Sequence, residues 1–474
     1  MTEPSGRWWA LGATALSLLV VGLDMTVLNV ALPDIATDLH ASTSQLQWFA
    51  DSYLLVLAAV LLPAGMLGDR MGRKGLTIGA LLIFAAGSLW CAYADSPASL
   101  IAARCVLGLG AATLIPLAMS AVVVMFEPHE RPKAVLVMSL STMVGLPLGP
   151  IVGGALLQSF WWGSVFVVNV PVIALALVAV ARFLPSGRVE QESRGFDGPG
   201  VVLAATGLVA LTYGVIEGPN RGWTDPVILG CLAGSLLLLA AFLVWERRLT
   251  GAIPVFDYAV WALPAFRWGS ITATVASMSL FGVFFTLPQY YRLVLGADAL
   301  GTGLRTLPMV IGMLVAMQLS NRFGSRVPAA PLAAVGSLLV AAGMAYGATT
   351  GLDDGFGRAS VWTAVVGLGF GAALFAAQTA ALVSLPRTRA GVGSALVQTL
   401  RQVGSVLGVA VLGAALNARY SGVGDSPEHF VEGMDLALWI SVGVAILGAA
   451  IAAVKLPRKP HEAESERVDL ARAA

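Results

Sequence analysis

The chain has 474 residues, 57% of them hydrophobic and only 12% charged, with a formal net charge of +1 and a mean hydropathy of +0.82. A soluble domain carries about 25% Asp, Glu, Lys and Arg. This chain cannot clothe a water-facing globule of its size, which excludes a soluble enzyme, a nucleic-acid binder and a disordered scaffold. It reads as an integral membrane protein.

A helix needs about 20 apolar residues to cross a hydrocarbon core of about 30 Å. Fourteen such runs follow one another, at 9–32, 46–67, 76–94, 98–124, 134–157, 162–184, 199–217, 226–245, 268–291, 302–321, 328–348, 359–384, 390–416 and 434–454. The alternating strands of about ten residues that a barrel requires are absent from the sequence pattern, so the expected fold is an all-α bundle. The first run closes on Leu32-Pro33-Asp34 without a small-residue cleavage site and has a single basic flank, Arg7. It reads as a retained helix, not a signal peptide.

Lys and Arg set the orientation. With the N-terminus inside, 21 basic residues fall on the cytoplasmic side and 5 outside, while Arg104 and Arg401 lie within helices. Both termini are therefore expected in the cytoplasm, with the chain in the cell's inner (plasma) membrane. The cysteines Cys91, Cys105 and Cys231 are odd in number and lie in apolar runs, and His40, His129, His429 and His461 lie outside them. Neither a disulfide framework nor a metal site is expected.

The chain repeats itself. Leu107-Gly-Leu-Gly-Ala-Ala in the fourth run returns as Leu368-Gly-Phe-Gly-Ala-Ala in the twelfth, and Gly65-Met-Leu-Gly-Asp-Arg-Met-Gly-Arg73 returns weakly as Asn321-Arg-Phe-Gly-Ser-Arg326, with Asn321 in the place of Asp69. Two homologous six-helix halves follow. The expected domains are an N-terminal bundle at 1–184, a two-helix insert with linkers at 185–264, a C-terminal bundle at 265–454 and a charged cytoplasmic tail at 455–474.

Four motifs then give a family likeness. The segment Gly65-x-x-Gly68-Asp69-Arg70-x-Gly72-Arg73-Lys74 resembles the signature between helices 2 and 3 of the major facilitator superfamily. Leu23-Asp24-Met-Thr-Val-Leu-Asn29-Val-Ala-Leu-Pro33 is similar to a motif of its fourteen-helix drug:proton antiporters, the EmrB/QacA-like group. Arg104-x-x-x-Gly108-x-Gly110 resembles the family's intramembrane arginine motif. Gly145-Leu-Pro147-Leu-Gly149-Pro150-Ile-Val-Gly153-Gly154 resembles the signature associated with antiporters. The likeness runs from residue 9 to about 454. It implies a monomeric, proton-driven exporter of lipophilic drugs or antibiotics that works by alternating access. It further implies a gating loop at Gly65, Asp69, Arg70, Gly72 and Arg73, with Arg131 as a basic partner for Asp69. A structural ion pair in a positive-inside loop is the alternative there.

The residues themselves carry chemistry. An ionised side chain at the centre of a spanning helix costs at least about 2.5–3.5 kcal/mol, so it ordinarily faces a cavity and serves function. At 1.5 Å per residue, Asp24 lies about 12 Å from Leu32, Asp51 about 9 Å from Gln45 and Arg104 about 10 Å from Pro97. All three share one depth in the outer half of the membrane. Burial favours the protonated form of a carboxylic acid and a neighbouring arginine its ionised form. Moving one relative to the other would load and release a proton. A static buried pair is the alternative for Asp24 and Arg104, and a solvated outer vestibule is the alternative for Asp51.

Gly145, Gly149 and Gly153 fall four apart, a face that allows close helix packing, and Pro147 and Pro150 interrupt the same helix. In the second half Gln378, Gln398, Arg401 and Gln402 are candidates for lining a cavity, with Met313, Met309, Met317 and Phe284 as an adaptable apolar surface. Members of the resembled family that carry dicationic drugs often have an extra acid in the tenth helix; the tenth run here holds none, so the resemblance disfavours dicationic cargo and implies monocationic, zwitterionic or neutral lipophilic compounds. The four lysines precede Gly75, Ala134, Leu456 and Pro460, so a phosphate loop ending in Lys-Ser or Lys-Thr is excluded and ATP is not the expected energy source. No cofactor is expected beyond the proton gradient. A narrow exporter of an endogenous metabolite or self-made antibiotic is the second reading.

Overall fold

The computed structural model describes residues 4–71, 73–127, 130–184, 195–249, 252–323, 327–385, 390–420 and 426–457. The helices are α1 (Pro4–Asp38), α2 (Thr43–Met71), α3 (Arg73–Ala92), α4 (Pro97–Met125), α5 (Arg131–Ser159), α6 (Ser164–Val167) and α7 (Asn169–Phe183). After strand β1 (Gly195–Phe196) come α8 (Gly198–Arg221) and α9 (Pro226–Arg248), then strand β2 (Ala252–Ile253) and α10 (Tyr258–Trp261). The chain continues through α11 (Pro264–Leu293), α12 (Ala299–Arg305), α13 (Leu307–Phe323), α14 (Ala329–Gly347), α15 (Phe356–Val383), α16 (Ala390–Asn417) and α17 (Pro427–Lys455).

Each of the fourteen apolar runs falls on helix. The run at 162–184 is split at Val168 into α6 and α7, and the run at 302–321 is split at Thr306 into α12 and α13. Among the described residues, 12 helical segments are long and apolar enough to cross a membrane. The runs at 46–67 and 134–157 lie on α2 and α5, whose side chains belong only in part to the described set.

Helix starts follow local chemistry. Ser96, Asp225 and Ser426 each precede a proline and accept a hydrogen bond from the first-turn backbone, at Ser99 N, at Val227 N and Ile228 N, and at His429 N. An oxygen-bearing cap satisfies a donor that the helix cannot, and proline at the first position forfeits only an N–H that would have been orphaned. Several ends overshoot the apolar runs: α1 passes through Pro33 to Asp38, and α2 runs to Met71. Hydropathy marks where the hydrocarbon stops, whereas backbone hydrogen bonding continues past that level.

Two compact units divide the chain. The first comprises Met1–Ala205, Gly251–Ile253 and Tyr291–Leu304, and the second comprises Thr206–Thr250, Pro254–Tyr290 and Arg305–Ala474. In the first, α1 packs on α5 and α7, while α4 packs on α2 and α3. In the second, α15 packs on α13 and α14, and α17 on α14 and α16. The linkers flanking α8 and α9 carry an element that the sequence did not announce. Gly195 and Phe196 pair in parallel with Ala252 and Ile253. Two residues are too few to show a period of two, so no pattern betrays such a ladder.

Candidate functional site

The first unit brings Asp24 and Arg104 together. Arg104 Nη1 donates to Asp24 Oδ2 at 2.9 Å, with the two side chains 2% and 0% exposed. Arg104 Nε donates to the Phe49 carbonyl on α2 at 2.9 Å, and its guanidinium sits 4.4 Å from the centre of the Tyr53 ring. The other oxygen of Asp24 accepts from Asn169 Nδ2 at 3.3 Å, and the same amide donates to Ser88 Oγ at 3.1 Å. The carboxylate is thus held from two sides, by a cation on one oxygen and a neutral amide on the other. Burying both charges is tolerable only because each finds hydrogen-bonding partners.

Asn169 and Ser88 escaped the sequence reading. Asn169 opens α7 directly after the break at Val168, and Ser88 is one small polar residue inside the apolar α3. A lone buried Asn or Ser carries no spacing signal.

Glycines set this geometry. A Cβ on Gly108 would lie 2.8 Å from the Tyr53 carbonyl, and one on Gly110 would lie 2.8 Å from Phe84. Only glycine lets α4 press on α2 and α3 around Arg104. The face spaced by four on α5 lies against α1. A Cβ at Gly145 would meet the Leu19 carbonyl at 2.5 Å, one at Gly149 the Leu23 carbonyl at 2.8 Å, and one at Gly153 the Val27 side chain at 2.8 Å. The stretch of α1 that carries Asp24 is therefore seated directly on this motif. Gly154 faces the Ala299 carbonyl instead, and the Pro150 carbonyl lies against Gly303. The Pro147 side chain lies outside the described residues.

Asp51 departs from the expected constellation. It is 0% exposed, and among the described residues neither carboxylate oxygen has a hydrogen-bond partner. It joins neither Arg104 nor Asn169, and burial replaces the solvated vestibule allowed by the sequence reading. Spacing measured from helix ends fixes depth but not azimuth, so three residues at one level need not meet. Asn29 is buried five residues beyond Asp24 on α1.

The expected gating loop is mostly helix. Gly65, Asp69 and Arg70 lie within α2, and Arg73 opens α3. Asp69 therefore lies inside α2, not in a loop, and Gly72 lies outside the described residues. The side chains of Asp69, Arg70 and Arg131 are also outside them, so the proposed Asp69–Arg131 pairing is not described. Next to Arg131, Glu130 receives Arg7 in a two-pronged pair, 2.8 Å on each oxygen. This contact, between an α1 end and the α4–α5 turn, was not foreseen.

In the second unit, Arg401 on α16 donates from Nη1 to Gln398 Oε1 at 3.0 Å and from Nε to Ser277 Oγ on α11 at 3.4 Å. No described carboxylate pairs with it. Gln402 is buried with its Oε1 unpartnered. Gln378 sits half-buried on α15 and Met313 buried on α13, neither hydrogen-bonded to Arg401 among the described residues. Among the described residues no group of three or more His, Cys, Asp and Glu is placed to hold a metal ion.

A multi-pass helical membrane protein with a repeated packing plan and a buried acid–arginine pair defines a class, and comparison with known proteins names it. Residues 14–409 match the Major Facilitator Superfamily, and the chain belongs to that family of membrane transporters. It is 34% identical over 433 residues to the tetracenomycin C resistance and export protein of Streptomyces glaucescens, covering 90% of this chain and 79% of that one. It is 31% identical to the multidrug efflux pump LfrA of Mycolicibacterium smegmatis, covering 99% of this chain and 92% of the pump. The crystal structure of a bacterial homologue of the human lysosomal transporter Spinster, inward-facing and unoccupied, matches the fold with a TM-score of 0.70 at 18% identity, over 99% of each chain.

Proposed function

We propose that this transporter exports lipophilic drugs or antibiotics, monocationic or neutral, in exchange for protons, as a fourteen-helix member of the EmrB/QacA-like group. The Asp24–Arg104–Asn169 cluster carries the reading, because an acid held by a cation inside a spanning bundle can change protonation when its partners move. Arg104 would hold Asp24 ionised in one state, and its withdrawal would favour proton uptake in the other. Asp51, buried without a partner, is the second candidate proton carrier. The glycine face of α5 seats α1, so a rocking motion of that helix would be transmitted to Asp24. The α2–α3 junction would gate the cytoplasmic side, with both termini inside and the monomer as the working unit. The names of the relatives support export of drugs and antibiotics. The relative named for tetracenomycin C also favours a second reading, a narrow exporter of one self-made compound.

Ethidium uptake into inverted vesicles under an imposed pH gradient tests the first reading. Uptake in the wild type that collapses with a protonophore and is lost in D24N is the expected result. A D24N/R104Q double variant, which removes both charges, keeps the test readable if D24N alone unfolds. Unchanged uptake in both variants would move the proton to Asp51, and no uptake of any dye by the wild type would favour the narrow exporter.

A further inference from the structure

Arg401 is a cation within a membrane-spanning helix that no described carboxylate neutralises. Its side chain is partly exposed, unlike that of Arg104 at 2%. Charged groups at membrane depth face protein or water-filled space and take counter-charges. The two neutral oxygens it meets, Gln398 Oε1 and Ser277 Oγ, engage two of its five N–H donors and leave its charge unbalanced. The site is built into the packing. A Cβ on Gly282 would lie 2.9 Å from the Gly408 carbonyl, and Gly404 and Gly408 press on the carbonyls of Thr274 and Met278, so α11 and α16 are locked together where Arg401 reaches Ser277. On the same pair of helices, Ser270, Ser279 and Thr399 each bury a hydroxyl oxygen without a partner, and each hydroxyl can donate a hydrogen bond. Guanidinium donors left over, with no described carboxylate paired to them, fit an oxyanion.

We infer that Arg401 is the anchor for the carboxylate, or a similar oxyanion, of a lipophilic compound bound by this transporter. The inference rests on the export reading for what the bound compound is, and it adds carboxylate-bearing cargo to the monocationic and neutral compounds of that reading. The planar guanidinium would grip the two oxygens side by side, a geometry a lysine cannot reproduce.

The test uses the full chain in phosphatidylcholine nanodiscs, titrated with dansyl-phenylalanine and with dansyl-phenylalaninamide, which differ only in the carboxylate. The wild type should bind the acid at least about tenfold more tightly than the amide, the order expected of one charge-assisted contact. R401Q should erase that difference while keeping its affinity for the amide, and R401K should restore part of it. Equal affinities in the wild type, no binding of either probe, or a parallel loss of both in R401Q would overturn the assignment. Displacement of the acid by added phosphatidylglycerol would give the site to a lipid headgroup, and would overturn it as a cargo site. Ethidium uptake separates the two readings. Discrimination without proton-driven ethidium uptake would sink the multidrug reading alone, in favour of the narrow exporter, and uptake without discrimination would sink the anchor alone.

Discussion

Arg104 and Arg401 each lie inside a helix of one unit, at positions that do not correspond in the repeat, and their described partners differ: a carboxylate for Arg104, neutral oxygens for Arg401. The glycine contacts bring the repeat into register: Gly145 and Gly149 press on Leu19 and Leu23, and Gly404 and Gly408 press on Thr274 and Met278. That register puts Ser279 where Asp24 stands. The motif repeat, Leu107 against Leu368, puts Val365 where Arg104 stands. The second unit shares the glycine-on-backbone packing but not the acid–arginine pair. Its own cation, Arg401, stands on α16 at the position where the sequence of α5 has Thr142. Packing in such a repeat is set by small residues facing backbone. Charge is set by side chains that can be exchanged without disturbing that backbone, so the two halves can share a scaffold and differ in chemistry.

Several measurements would break or sharpen this contrast. The largest effect is expected for R104A, which strands Asp24 in the interior without its counter-charge. Losing one member of a buried pair costs about 3–5 kcal/mol, read as a fall in the unfolding midpoint in detergent. R401A removes a cation whose partners among the described residues are neutral, and should cost no more than about 1 kcal/mol, near the net value of an ordinary hydrogen bond. Equal losses for the two would erase the distinction. An intermediate effect is expected at the glycines. G149V and G408V each force a branched side chain into a backbone and should each lose about 1–3 kcal/mol by overpacking. If G408V is tolerated while G149V is not, the parallel between the units fails. The smallest effect is expected for R292Q, which breaks a half-exposed ion pair with Asp34 (27% and 30% exposed). Such pairs are worth about 0–1 kcal/mol, and a midpoint shift as large as that of R104A would show that exposure misjudges the pair.

Apolar length located the helices because the cost of leaving backbone groups unpaired in hydrocarbon leaves helix as the ready solution for a long apolar run. The Ser-Pro and Asp-Pro starts of α4, α9 and α17 were equally open to reading, since capping depends on neighbours in the chain. So were the identities of Asp24, Asp51, Arg104 and Arg401 as candidates, because charge at membrane depth is conspicuous in one dimension. The breaks at Val168 and Thr306, the β1–β2 ladder and the helical course of Gly65–Met71 were not, as each depends on contacts or on hydrogen bonding beyond the hydropathy window.

Composition and the length of the apolar runs determined that the chain is a membrane protein of apolar helices, because burial in lipid is a demand on every stretch of sequence separately. Which charges meet was decided only in three dimensions. Depth follows from counting residues along one helix, but partnership requires the rotation of several helices about their axes. That rotation is set by where glycines allow backbones to touch. The pairing of Asp24 with Arg104, its bracing by Asn169, the isolation of Asp51 and the carboxylate-free setting of Arg401 all belong to that second kind of information.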